Sequence, residues 1–192
     1  METDFMIEAV LANRANRVVL ERLPALGLGH DAWLASGTVF QAVWNALTGR
    51  ASDYGIRDCD VVYFDGDTSW EAEDAVIRRV LAATSDIAVP VEVRNQARVH
   101  LWYEKKFGTP CPPLRSATEG IDRFLVTVAQ IGIRKRPGGF QIHAPRGVDD
   151  ILTMTVRPNP ASDVSMVHYE EKARAWKAKW PELTIVQAGA PD

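Results

Sequence analysis

Apolar residues return roughly every 3.6 positions between Asp4 and Leu23 (Phe5, Met6, Ala9, Val10, Ala12, Val18, Val19, Leu20), the spacing of one face of a helix. Thr3 or Asp4 can cap the start of that helix, and Pro24 with Gly27-Leu28-Gly29 closes it. The short run Ala32-Trp33-Leu34-Ala35 reads as a strand and ends at Ser36-Gly37. A helix is predicted over Thr38–Leu47, stopped by Gly49. Cys59-Asp60-Val61-Val62-Tyr63-Phe64 is rich in strand formers. Ser69-Trp70-Glu71-Ala72 looks like a capped helix start, and the stripe Ala75, Val76, Val80, Leu81 carries that helix to Ala83. Val89–Val93 is a third short strand. Helix and strand thus alternate up to residue 95.

Beyond that point the pattern predicts a helix over Ala97–Phe107, a loop at Cys111-Pro112-Pro113 and a second capping pattern at Ser116-Ala117-Thr118-Glu119. Val126–Arg136, Pro137-Gly138-Gly139 and Phe140–His143 read as a hairpin turned by glycine. Val148–Met154 fits a short helix, and Tyr169–Trp180 a charged amphipathic one stopped by Pro181, with Trp176 and Trp180 packing it onto the body. The fold class is α+β: a small mixed sheet with flanking helices, followed by a C-terminal hairpin and helix. It is read as one domain over residues 1–192, with a core of about 30–105 and a C-terminal extension of about 110–190.

Composition narrows the function classes. With 46% hydrophobic and 24% charged residues, the 192-residue chain can bury a core. A net charge of -3 argues against a coat for nucleic acid. No apolar run reaches the roughly 18 residues that a membrane span needs. The acidic start Met1-Glu2-Thr3-Asp4 lacks the basic region of a secretory signal. Cys59 and Cys111, the only two cysteines, make neither a disulfide framework nor a four-thiolate zinc site. The expectation is a cytoplasmic protein without membrane partner or zinc.

The chemistry concentrates in Ser36-Gly37-Thr38 and Asp58-Cys59-Asp60. Residues i and i+2 of a strand share a face, so Asp58 and Asp60 are neighbours there. Two adjacent carboxylates repel, and the partner that relieves them is a positive side chain or a metal cation. Carboxylate oxygens with open water positions suit Mg²⁺. In Val91-Glu92-Val93, a carboxylate sits between two β-branched residues. If this strand pairs beside the first, Glu92 completes a three-carboxylate cluster able to hold two ions, or it orients or deprotonates a nucleophile. Gly37 lets a phosphate approach the backbone, the helix start offers unpaired N–H groups, and the Thr38 hydroxyl can add one bond. Asn95 reads as a helix cap or, with Gln96, as a nucleotide contact, and Arg98 as a phosphate contact. His100 reads as a buried histidine, most tryptophans as core, and Lys172, Arg174, Lys177 and Lys179 as a solvated helix face.

These stretches resemble the polymerase-β-type nucleotidyltransferase superfamily. SGTVFQAVWNALTGR (Ser36–Arg50), DCDVVYFD (Asp58–Asp65), EVRNQARVHLW (Glu92–Trp102), APRGVDD (Ala144–Asp150) and VRPNP (Val156–Pro160) are similar to a bacterial family of small nucleotidyltransferases, over roughly Ala32 to Trp180. The resemblance implies the nucleotidyltransferase fold, Gly37 and Thr38 as phosphate contacts, Asp58 and Asp60 as Mg²⁺ ligands, and Glu92 as the third carboxylate. It also implies transfer of a nucleoside monophosphate from a nucleoside triphosphate to an acceptor whose identity stays open. A silent nucleotide- or partner-binding module and a two-metal phosphodiesterase are the alternatives.

Overall fold

The computed structural model describes residues 2–29, 31–162 and 166–187. The expectations at Met1 and at residues 188–190 lie outside the described residues. Where one N-terminal helix is predicted, two form: α1 (Glu2–Ala12) and α2 (Arg14–Arg22). Asn13 breaks the run. It takes an extended backbone and its side chain accepts from the Asn16 N–H at 3.0 Å, capping α2. The predicted elements β1 (Ala32–Ala35), α3 (Gly37–Leu47), β2 (Cys59–Tyr63), α4 (Trp70–Ala83) and β3 (Val91–Asn95) follow within two residues of their expected bounds.

The helix expected over Ala97–Phe107 is two pieces, a 3-10 turn over Gln96–Leu101 and α5 (Tyr103–Phe107). The Asn95 side chain accepts from the Ala97 N–H at 3.1 Å and tightens that turn. Ser116 caps α6 (Ala117–Ile121) by accepting from the Glu119 N–H at 3.1 Å. The hairpin is shorter than expected: β4 (Gly132–Arg136) pairs with β5 (Gly139–His143), and Thr127–Ala129 is a 3-10 turn instead of strand. After α7 (Asp149–Leu152), the two-residue strands β6 (Thr155–Val156) and β7 (Thr184–Ile185) pair in parallel around α8 (Met166–Lys179).

The main sheet runs β3-β2-β1-β4-β5. β2 and β3 are parallel, joined through α4, and the other neighbours are antiparallel. Residues beyond 110 therefore supply two of its strands. Strand parity splits the sheet into two faces. Leu34, Cys59, Val61, Tyr63, Val91 and Val93 enter the main core. Trp33, Ala35 and Val62 point the other way and pack under Ala117 and Ile121 of α6. A Cβ on Gly132 would stand 2.7 Å from Ile121 Cδ1 and 3.3 Å from Trp33, so glycine is what lets α6 lie this close to β4.

Helix α8 docks by its aromatic residues. Trp176 meets Phe40 and Trp44 edge-on, with ring centroids 5.3 and 6.1 Å apart. Trp180 is fully buried, and its indole N–H donates to Asn45 Oδ1 at 3.0 Å. Among the described residues, no helix is long and apolar enough to cross a membrane.

Candidate active site

The site grows from the register of β2. Asp60 pairs with Ala35 of β1 on one side and Glu92 of β3 on the other. In-register neighbours project to one face, so Asp60 and Glu92 stand side by side, with Val62 and Arg94 next along their strands. This is the face turned away from the main core. It opens on a cavity of about 340 Å³ whose sheet wall holds Ser36, Asp60, Glu92, Arg94 and Gln96. Lys106, Arg123, His168 and Lys172 bring nitrogen groups to it, and Trp102, Tyr103, Phe107 and Phe124 give it an aromatic flank.

The electrostatics follow from this crowding. Burial, then the neighbouring charges of Asp58 and Glu92, push the Asp60 carboxyl up from 3.8 to about 6. Burial and Glu92 also raise Asp58, which stands just before β2. Among the described residues, neither carboxylate accepts a side-chain or backbone hydrogen bond or forms an ion pair. Glu92 differs, since it meets Arg94 at 3.3 Å in a pair that is half exposed on both sides and so contributes little to stability.

The donor set fits a hard divalent cation, because it is all oxygen and two of its carboxylates have no directly bonded partner among the described residues. Among the described residues, however, no three His, Cys, Asp or Glu side chains stand close enough to enclose a metal. The three acids thus share one electrostatic field without converging on one point.

Residues 21–185 match the model of a protein family described as Nucleotidyltransferase. The chain belongs to that nucleotidyltransferase family. An NMR structure described as revealing a CCA-adding enzyme head domain matches with a TM-score of 0.76, 24% identity and 95% of each chain covered, which speaks for the fold. No curated protein matches.

The other residues singled out from the sequence divide. In this member of the family, Gly37 is the first residue of α3, immediately after the cavity-lining Ser36. Gly37 itself does not line the cavity, so the start of α3 borders the site through Ser36. Thr38 corrects the expectation of a hydroxyl on phosphate. It is 1% exposed, its hydroxyl donates to Asn16 Oδ1, and its carbonyl accepts from Asn16 Nδ2 at 2.9 Å. One residue into the helix, the side chain has already rotated from the site into the core. Thr38→Val is expected to cost about 1–3 kcal/mol by stranding Asn16, as read by urea denaturation, and to leave triphosphate affinity unchanged.

Asn95 and Arg98 are corrected as well. Asn95 is buried, accepts from the Asp65 N–H at 3.0 Å and donates to the Asp65 and Asp67 carbonyls at 2.9 and 3.3 Å, so it pins the loop after β2. Arg98 forms a nearly buried ion pair with Glu73 of α4 at 3.0 Å and donates to the Thr68 carbonyl at 3.0 Å. Neither lines the cavity. Parity explains it for Asn95: counting by twos from Glu92 along β3 leads to Arg94 and Gln96, and those two do line it.

Ser36 is the residue most easily overlooked. Its backbone, at φ 57 and ψ -128, lies where glycine is usually required, yet a serine stands there and lines the cavity. Ser36→Gly is expected to raise stability by about 1 kcal/mol through relief of that strain, as measured by thermal unfolding. The cue in the sequence was its place directly before Gly37. His168 and Lys172 had none, because only the fold brings α8 to the carboxylates.

Proposed function

We propose that the protein is a Mg²⁺-dependent enzyme that moves a nucleoside monophosphate from a nucleoside triphosphate, ATP among them, to an acceptor and releases pyrophosphate. The observation that carries this reading is the in-register pair Asp60–Glu92, with the raised carboxyls of Asp58 and Asp60 crowded beside it, next to the start of α3. The likeness to a CCA-adding head domain supports nucleotidyl addition as the reaction class.

In this reading the backbone N–H groups at Gly37 and the Ser36 hydroxyl receive phosphate oxygens at the positive end of α3. Asp58 and Asp60 would hold the cation, which would supply charge to offset that on the reacting phosphoryl group. Glu92, released from its exposed pair with Arg94, orients the acceptor hydroxyl or takes its proton. The residues position reactants and offset charge, and no covalent intermediate is required. The acceptor is a small molecule, a protein or an RNA end, in a cytoplasmic setting that suits two buried cysteines with no disulfide among the described residues.

The test is a screen of the common nucleoside triphosphates against candidate acceptors, with pyrophosphate as the readout, in Mg²⁺ and in EDTA. Pyrophosphate release that stops in EDTA supports the proposal. Triphosphate binding that ignores Mg²⁺, with no turnover, points to a silent binding module. Nucleotide hydrolysed without an acceptor points to a phosphodiesterase.

A further inference from the structure

The α8 residues that line the cavity bear on where the products leave. His168 and Lys172 are separated by four residues, so they share one side of α8 and project together. The neighbouring side carries Tyr169 and Ala173 into the core, and Trp176 anchors the helix against Phe40 and Trp44 of α3. Lys172 is therefore held by a docked helix, not by a loose loop. Its ammonium lies 5.9 Å from the centre of the Trp176 ring and, among the described residues, makes no hydrogen bond or ion pair.

The other cations of the cavity are placed differently. Arg94 is held by Glu92. Lys106 leans on Trp102 and Phe107, 5.4 and 5.3 Å from their ring centres, at the aromatic flank. Arg123 sits beyond the end of α6. Lys172 is the cation whose charge acts on Asp58 and Asp60 together. A charge in that position and without a fixed partner can move to a more negative ligand when a cation takes over the carboxylates.

We infer that Lys172, with His168 beside it, binds the pyrophosphate half of the triphosphate, and that α8 forms the wall of the site opposite the start of α3. This rests on the proposed transfer reaction. In that reaction an acceptor oxygen attacks the α-phosphorus, and the bond from the α-phosphorus to the bridging oxygen breaks. The electron pair stays with the departing pyrophosphate, and the Lys172 ammonium meets the charge that appears there.

The experiment is titration calorimetry of the full chain with inorganic pyrophosphate in Mg²⁺, for wild type, Lys172→Met and Lys172→Arg. Lys172→Met is expected to weaken binding about 10- to 100-fold, with Lys172→Arg recovering most of it. In turnover assays the pyrophosphate inhibition constant moves by the same factor. Lys172 is exposed, so the variants keep the fold, and unchanged melting temperatures confirm it. Equal pyrophosphate affinity in wild type and Lys172→Met overturns the assignment of Lys172 and leaves the proposed reaction standing. No pyrophosphate binding by wild type overturns the assignment too, and removes the phosphate site on which the proposed reaction depends.

Discussion

Asp60→Asn is expected to lower nucleotidyl transfer by at least about 10²–10³-fold and, at neutral pH, to make the metal-free protein more stable. The two effects have one cause. The Asp60 carboxyl is raised from 3.8 to about 6, so folding opposes its ionisation. A carboxyl raised in the folded state favours the fold below pH 4, where it is protonated in both states, and that advantage is lost as pH climbs to about 6. Above that range wild type bears a cost of about 1–3 kcal/mol from this group in the absence of a cation. Asparagine has no charge to bear. Denaturation of both proteins at pH 4 and pH 7.5, in EDTA and in Mg²⁺, checks this. The gap between them should open with pH in EDTA and narrow in Mg²⁺. A variant as active as wild type removes the carboxylate mechanism.

Arg98→Met is expected to have the opposite signature, a loss of about 3–5 kcal/mol in stability with triphosphate affinity unchanged in the molecules that remain folded. Glu73 and Arg98 have side chains 10% and 15% exposed, and Glu73 Oε1 also accepts from the Asn95 N–H at 2.9 Å. Removing the guanidinium leaves a carboxylate in a place that water scarcely reaches. The pair ties α4 to the end of β3, which carries Glu92, so the damage is to the support of the site. Chemical denaturation gives the stability loss, and calorimetry with a triphosphate on the folded fraction gives the affinity. A large affinity loss with normal stability would instead make Arg98 a phosphate contact.

The contrast between Asp60 and Arg98 shows what could be read in the sequence. Strand parity is a strict rule inside a strand, and it sets Asp60 and Val62 on one face, but Asp58 stands just before β2, where the rule no longer binds it. The pairing that brings Glu92 to Asp60 is long-range, and the sequence could offer it only as a condition. Asn95 and Arg98 were drawn toward the nucleotide by residue type alone, since arginine and asparagine serve ion pairs and loop pins as well as phosphates. Helices α3 and α4 announced themselves by caps and apolar stripes. β6 and β7 did not, because two residues are too few to show a period. Lys172 looked like a solvated helix face because its neighbours on α8 are charged, and only the docking of Trp176 and Trp180 turns that side of the helix to the cavity.

The tie between Asn16 and Thr38 also bears on where the folded unit around the acids begins. The match to the family starts at residue 21, five positions after Asn16. Yet the Asn16 amide grips both ends of Thr38, and the Cys59 thiol, flanked by Asp58 and Asp60, reaches the same oxygen at 3.7 Å. A shortened protein starting at the family boundary would keep Asp58, Asp60, Glu92 and the glycine corner. It would lose the clasp that fixes how far the first turn of α3 lies from the start of β2, and with it the spacing on which the acids depend.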